Sequence, residues 1–274
     1  MAQKMKHDEE KPSAKEEILP ALESSNLPAG VDADLAREMA DNVDHQEVFD
    51  SDQLTVPRLA LLQDLSPETK ERNGAYVPGA RPGLILNKLK RAVDDKVRFV
   101  PAKFMVRYIA WRPRADGGGL VDQGLTRQEC EDNFESDGIG RWIGMIKPRA
   151  GAEAVKVEII QTAEWVGFAK SVSYDWTPVA ISFPGTKAKV VRDINTTIDV
   201  ARMEFDGKRF KPAPFFHEFE IGSFLDRSGE DEFFNFTADW SGWCQDKSVR
   251  DEAKALKESF ERGEADVESS GSNI

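Results

Sequence analysis

Five stretches of the chain alternate or cluster apolar residues in the manner of β-strands. They are rich in Val, Ile, Phe, Trp and Thr, which fit a pleated, half-buried surface. Turn residues such as Gly, Pro and Asp bound most of them. The predicted strands are residues 97–111, 154–169, 177–184, 215–224 and 231–240.

Two helices are predicted from apolar residues at helical spacing. Within residues 186–203, Val191, Ile194 and Ile198 form one apolar stripe. The stretch from Lys247 to Arg262 is mostly charged but also carries apolar residues on one side, which predicts a final helix. A short helix is predicted near the start, at residues 32–43. We interpret the Gly-rich residues 112–153 as a long loop with room for a short hairpin.

The order of these elements predicts the fold class. Three strands, a helix and two further strands indicate a mainly β protein with flanking helices, arranged as an OB-like five-stranded barrel with a helix between the third and fourth strands. Other small barrels and α+β folds share this order. The predicted domains are an acidic, largely disordered segment at residues 1–53, the OB-like domain at 54–243, and a C-terminal helix and acidic tail at 244–274.

The first predicted strand carries two unlike faces. Side chains alternate between the faces of a strand, so the even positions from Val100 to Ala110 predict a core face. The odd positions mix cations with aromatic and aliphatic side chains: Phe99, Lys103, Met105, Arg107, Ile109 and Trp111. Pro101 could mark a bulge that shifts this alternation, and a second layer against the odd face would also explain its aromatic residues.

A face of cations and flat rings suits single-stranded nucleic acid, because cations follow the phosphates and aromatic planes stack bases. The loop stretch "GRWIGMIKPR" at residues 140–149 repeats this combination. The alternative is that the tryptophans belong to a core and their basic neighbours only extend past it. The candidate nucleic-acid-binding residues are Lys103, Arg107, Trp111, Arg112, Arg114, Arg141, Trp142, Lys147, Trp165 and Lys170.

The charge is distributed unevenly along the chain. The formal net charge is −12, yet residues 96–114 hold six basic residues and no acidic residue. Residues 1–50 hold 5 basic and 13 acidic residues, and residues 225–274 hold 6 and 13, so the middle of the chain is mildly basic. The acidic ends either aid solubility, compete with DNA for the basic face, or bind replication or recombination proteins.

Signals for catalysis are weak. The sequence has no Walker or dinucleotide-binding motif, and its 3 histidines lie far apart, so we expect no metal site, no cofactor and no enzymatic activity. A nuclease could use the carboxylates of Glu158 and Glu164, although no further acids stand at metal spacing. Two isolated cysteines, no apolar leader and no membrane-length apolar run predict a cytoplasmic protein that does not enter a membrane.

Several short motifs resemble those of bacteriophage proteins. They are "VPRLALLQDLSPE", "NGAYVPGARPG" and "VRFVPAKFMVRYIAWRPR", followed by "GGG". Over residues 54–243 the chain resembles phage single-stranded-DNA-binding proteins built on an OB barrel. This resemblance implies a non-catalytic protein of the host cytoplasm that coats unpaired strands during phage DNA replication or recombination. The tail "EADVESSGSNI" lacks the terminal aromatic residue frequent in such proteins.

The sequence also permits a different class of function. In it, the aromatic strand face is an assembly interface of a virion or scaffolding protein. The two hypotheses differ in what the face contacts, which is DNA in one and a protein surface in the other. The sequence leaves open whether the protein forms a homo-oligomer.

Overall fold

The computed structural model describes residues 34, 37–38, 55–138, 140–148, 153–184, 188–228 and 231–267. Residues 34, 37 and 38 are helical, and the rest of the helix predicted at 32–43 lies outside the described residues. The chain divides into a unit of residues Met1–Phe49, which holds these three helical residues, and a unit of residues Asp50–Ile274, which holds all the numbered strands and helices.

All five predicted strands and both later helices are confirmed, with small shifts at their ends. The β-strands are β1 (Thr55–Val56), β2 (Arg58–Leu61), β3 (Ile85–Asn87), β4 (Ala92–Asp94), β5 (Val97–Trp111), β6 (Leu120–Leu125), β7 (Glu135–Ser136), β8 (Arg141–Ile146), β9 (Val155–Lys170), β10 (Thr177–Pro184), β11 (Met203–Phe205), β12 (Lys208–Phe210), β13 (His217–Ser228), β14 (Asp231–Trp243) and β15 (Asp266–Val267). The α-helices are α1 (Arg127–Asn133), α2 (Ala188–Val200) and α3 (Lys247–Arg262). Within the described residues, none of these helices is long and apolar enough to cross a membrane.

The segment after β5 is more regular than predicted. The interpretation of residues 112–153 as mainly a loop is wrong, because β6, α1, β7 and β8 lie within it. The short hairpin that this interpretation allowed is formed by β7 and β8. Helix α1 begins at a capping box in which the Glu129 N–H donates to the Thr126 hydroxyl and the Thr126 N–H donates to the Glu129 carboxylate, at 3.2 and 2.8 Å. These bonds satisfy two backbone N–H groups at the start of the helix that have no carbonyl partner within it.

Most strands belong to one large sheet. Its order is β14-β13-β5-β9-β10-β2-β3-β4, with β6 beside β5 and β8 beside β9. Neighbours on the main path are antiparallel except β2, which runs parallel to β10. The described strands contain no ladder between β10 and β14, so the prediction of a closed five-stranded barrel is not confirmed.

A side chain bridges the open side of the sheet. Gln63, two residues after β2, accepts a hydrogen bond from the Phe234 N–H of β14 at 2.8 Å and donates to the Phe234 carbonyl at 2.9 Å. Both backbone groups of Phe234 are therefore satisfied as they would be by a neighbouring strand. The amide of Gln63 therefore connects the segment after β2 to the edge strand β14.

The main core lies on the inner face of the sheet, against α2. Val191, Ile194 and Ile198 are buried there, as the helical stripe predicts. Trp165 from β9 packs with them and donates its indole N–H to Asn195 of α2 at 2.9 Å. The helix is thus fixed by apolar contacts and by one directional bond that satisfies a buried indole.

The other face of the sheet, here called the outer face, is partly covered by α3 and β15. The outer face carries Lys103, Met105, Arg107, Ile109 and Trp111 on β5 and the even-numbered residues from Glu158 to Lys170 on β9. Helix α3 packs Val249 and Ala253 against the end of this face that carries Val100 and Phe168, here called its lower end. Val267 of β15 lies beside Val166 and Ala180. The C-terminal helix is therefore part of the packed domain.

The strand alternation predicted for β5 fails at its start. The register shifts between Pro101 and Lys103, so Phe99 and Phe104 both lie in the main core, although one is odd and the other even. Pro101 has no N–H to donate to a neighbouring strand, which is why a bulge forms there. From Lys103 onward the predicted odd face is correct, while Val106 on the predicted core face is 39% exposed.

The close approach of β5 and β9 gives a first prediction. A Cβ at Gly167 would lie 2.2 Å from the Val100 carbonyl oxygen and 2.9 Å from the Phe99 ring. Gly167→Ala is therefore expected to lower the free energy of unfolding by about 1–3 kcal/mol or more. Urea denaturation measures this loss. Gly74→Ala is the control, since nothing lies within 4 Å of its Cβ position, and an equal effect of both changes would contradict the close contact.

Candidate nucleic-acid interface

The outer face brings together five of the ten predicted residues. Lys103, Arg107 and Trp111 point from β5 in the same direction, because alternate residues of a strand share a face. Arg141 of β8 pairs with Ile160 of β9, which pairs with Ile109 of β5, so Arg141 lies on this face as well. Lys170 occupies the lower end, opposite Arg98 of β5.

Two predicted tryptophans lie on the opposite face and are buried. Trp142 is 6% exposed and packs edge-on against Tyr108, with ring centroids 5.5 Å apart. Trp165 is 3% exposed and packs against Phe104, with ring centroids 5.3 Å apart. Neither indole presents a free plane to solvent. Both fit the core alternative that the sequence left open.

The remaining three predicted residues flank the outer face. Arg112 directly follows β5 and is half-buried, and its N–H donates to the Gly119 carbonyl at 2.9 Å. Lys147 directly follows β8 and is exposed. The side chain of Arg114 lies outside the described residues.

A buried ion cluster lies at the centre of the outer face. The Glu164 side chain is fully buried and receives hydrogen bonds from Arg58 and, at 2.8 Å, from the Ser182 hydroxyl. The Arg107 guanidinium approaches the other Glu164 oxygen at 3.0 Å. A carboxylate without water needs such partners, because burying an unpaired charge is costly. Arg107 is thus first a structural partner of Glu164.

The C-terminal strand adds a second acid to Arg107. Asp266 of β15 accepts a hydrogen bond from the outer nitrogen of the Arg107 guanidinium. Partial burial acts to raise the pKa of Asp266, but hydrogen bonds from Arg107 and the Val267 N–H outweigh it, so this pKa is lowered. Asp266 is 71% exposed at its side chain while Arg107 is 15% exposed. The acid therefore shields the cation from solvent.

The other cations on this face are also paired with acids. Lys103 contacts Glu261 of α3 at 3.2 Å. Hydrogen bonds from Lys257 and from Lys103 lower the pKa of Glu261. Lys170 contacts Asp175 at 2.8 Å and lowers the pKa of that carboxyl. Positive charge on the lower outer face is therefore locally neutralised.

The opposite end of the outer face, which carries Trp111 and Glu158 and is here called the upper end, is more open. Arg141 contacts Asp137 at 3.0 Å and Glu158 at 3.6 Å, and its side chain is 46% exposed. Glu158 pairs with Trp111 across the β5–β9 ladder, so a half-buried indole and an exposed guanidinium lie close to one another.

Sequence reasoning missed three charged residues that control this face: Arg58, Glu261 and Asp266. Arg58 lies within the apolar run "VPRLALL", and a single cation in a buried strand is a signal for a buried acid partner. The acids come from the C-terminal region, about 160 residues away from Lys103 and Arg107 in the sequence. No local pattern links partners so far apart.

Comparison with known proteins identifies the family. A model of the Pam3 phage gp34-like protein family matches residues 23–266, which is most of the chain. The chain therefore belongs to this family of phage proteins, and the bacteriophage part of the sequence resemblance is confirmed. Comparison with curated proteins found no match, and comparison with solved structures found none either.

Proposed function

We propose that this protein binds single-stranded DNA without catalysis and protects unpaired strands during phage DNA replication or recombination. The observation that carries the proposal is the placement of Lys103, Arg107, Trp111 and Arg141 on one face of the sheet. Cations beside an aromatic plane allow phosphate pairing and base stacking at the same time. The sequence predicted three of these four residues on one strand face.

The strand order supports an OB-like interpretation of the fold. Strands β5, β9 and β10 form a meander, and after α2 the chain returns so that β13 lies beside β5. This is the 4-1-2-3 order of a Greek key, and an OB fold is a partly open five-stranded Greek-key barrel. Strand β14 is the fifth strand. Strand β2 and Gln63 occupy the gap that a ladder between the third and fifth strands would close.

The ion pairs on the outer face determine how DNA would bind. A phosphate oxygen accepts the same hydrogen bonds as a carboxylate. DNA would therefore exchange with the more exposed acids, which are Glu261 at Lys103 and Asp266 at Arg107. Glu164 would stay in place because it is buried between two guanidinium groups. Such exchange predicts moderate affinity and a strong dependence on salt.

The buried position of Glu164 also supports a non-catalytic role. The nuclease hypothesis requires Glu158 and Glu164 to bind a divalent metal. Glu164 is already surrounded by Arg58, Arg107 and Ser182, so a metal ion would meet two positive charges there. Incubating labelled single strands with magnesium or manganese tests this point, and cleavage that is lost in Glu158→Ala would contradict the proposal.

A salt titration tests the outer face directly. Oligo(dT) is expected to quench tryptophan fluorescence, and the affinity should fall by about 0.7 log units per log unit of salt for each phosphate contact. Lys103→Ala/Arg141→Ala should reduce this slope by about 1.4, because two contacts are lost. Lys70→Ala/Lys90→Ala removes the same charge from exposed positions elsewhere and is the control. An unchanged slope in the first variant would remove the outer face from the site.

One observation favours the alternative, an assembly role in a virion or scaffold. The β13–β14 hairpin continues past the last β5 pairing at Ile221 and exposes Phe224 and Leu225, at 44% and 49%. Exposed apolar residues on a sheet edge can pair with another protein. Light scattering after size exclusion, with and without oligonucleotide, separates the two functions. A defined oligomer without salt-sensitive DNA binding would favour assembly.

A further inference from the structure

The hairpin of β11 and β12 extends from the end of α2 as a separate two-stranded sheet. It pairs Met203 with Phe210 and Phe205 with Lys208, and every residue of both strands is exposed. Asp206 and Gly207 have φ values of 50° and 70°, as in the two-residue turns that connect the strands of a tight β-hairpin. The hairpin is thus well formed locally, although neither of its faces belongs to a core cluster of the described residues.

One face of this hairpin is apolar and aromatic. Directly paired residues lie on the same face, so Met203, Phe205, Phe210 and Lys208 share one side. Phe205 is 71% exposed, Phe210 is 46% exposed and Met203 is 42% exposed. Exposed apolar side chains in a contiguous group mark interaction sites more often than isolated ones do. This apolar face would be buried by a ligand that stacks on the two phenylalanine rings.

The cations of the hairpin distinguish it from the outer face. Arg202 and Lys211, at its base, bind the carbonyl and the carboxylate of Asp199 respectively. Lys208 and Arg209, near its tip, form no ion pair with any residue that the structure describes. Lys103, Arg107, Arg141 and Lys170 on the outer face, in contrast, each contact an acid. The hairpin therefore offers positive charge without first displacing a carboxylate.

We propose that the β11–β12 hairpin is a second contact site for single-stranded nucleic acid, with bases stacked on Phe205 and Phe210 and a phosphate paired with Lys208 on the same face; Arg209 lies on the opposite face, across from Glu204. The choice of ligand rests on the proposed function. A purely apolar partner would account for the rings alone, and a purely acidic partner would account for the cations alone. A single strand presents rings and negative charges alternately along its length, which matches both.

A comparison of two oligonucleotides tests the stacking. Wild-type protein is expected to bind oligo(dT) more tightly than an abasic oligonucleotide of the same length, because only the former has bases to stack. Phe205→Ala/Phe210→Ala should reduce this preference by about 25-fold or more, since each of the two stacked bases is worth about fivefold or more. Phe224→Ala/Leu225→Ala removes exposed apolar residues from the other hairpin and should leave the preference unchanged.

The phosphate contact is tested in parallel. Lys208→Ala should lower the salt slope by about 0.7, and thermal melting checks that both hairpin variants fold as the wild type does. If wild-type protein binds oligo(dT) and neither hairpin variant changes this binding, the hairpin proposal is wrong while the proposed function stands. If wild-type protein binds neither oligonucleotide, both fail. A drop in light-scattering mass of the aromatic variant with unchanged DNA binding would assign the hairpin to self-association instead.

Discussion

Replacing Glu164 with alanine is expected to lower the free energy of unfolding by about 3–5 kcal/mol. The change leaves Arg58 without its buried carboxylate partner and Arg107 with Asp266 alone. The loss arises mainly because the guanidinium of Arg58 loses its charged partner at a position where its side chain is 8% exposed and cannot recover full hydration. Urea denaturation followed by circular dichroism measures the loss.

Glu158→Ala provides a matched control for this change. Glu158 lies on the same strand and the same face, but its side chain is 36% exposed and its partner Arg141 is 3.6 Å away. Exposed pairs of this kind contribute about 0–1 kcal/mol. Equal losses for Glu158→Ala and Glu164→Ala would show that the cluster around Glu164 is hydrated and does not stabilise the sheet.

A third variant separates charge from shape at position 164. Glu164→Gln keeps the volume of the side chain and an oxygen that can accept from Ser182, but it removes the negative charge between Arg58 and Arg107. If the charge is what matters, this variant should lose nearly as much stability as Glu164→Ala. A loss close to that of Glu158→Ala would instead assign the effect to packing.

The strands and helices could be predicted because their signals are local. The five strand-rich stretches and the stripe Val191, Ile194 and Ile198 each follow a single repeat over consecutive residues. The elements of residues 112–153 could not, because β6 and β8 each contain a glycine and are short. Their pairing with β5 and β9 depends on contacts that the local sequence does not contain.

The candidate site was only half predictable for a different reason. The outward direction of Lys103, Arg107 and Trp111 follows from strand alternation, which the bulge at Pro101 disturbs only before Lys103. The burial of Trp142 and Trp165 depends on which layer covers which face, and alternation alone does not determine this. The acids opposite Lys103 and Arg107 come from α3 and β15, so they depend on the tertiary fold.

Replacing Asp266 with asparagine is expected to raise the affinity for oligo(dT) about tenfold at low salt. The substitution removes the negative charge that shields Arg107, and a charge pair near a protein surface is worth roughly 1–4 kcal/mol. It retains the β1–β15 pairing and leaves Val267 in its apolar cluster. Deleting residues 263–274 should also maintain or increase affinity, but it removes buried Val267 and therefore costs stability.

Asp251→Asn is the control, since Asp251 pairs with Lys247 on an exposed part of α3 and carries the same charge.

Because the pKa of Asp266 is lowered in the folded protein, the stabilisation from its pairing is fully present above the unfolded value of about 3.9. That stabilisation is lost only as the pH falls through the lowered pKa. At neutral pH the carboxylate therefore stays charged, so that substitution or salt, but not mild acid, releases Arg107. An Asp266→Asn variant with unchanged or weaker DNA binding would show that Arg107 serves Glu164 alone.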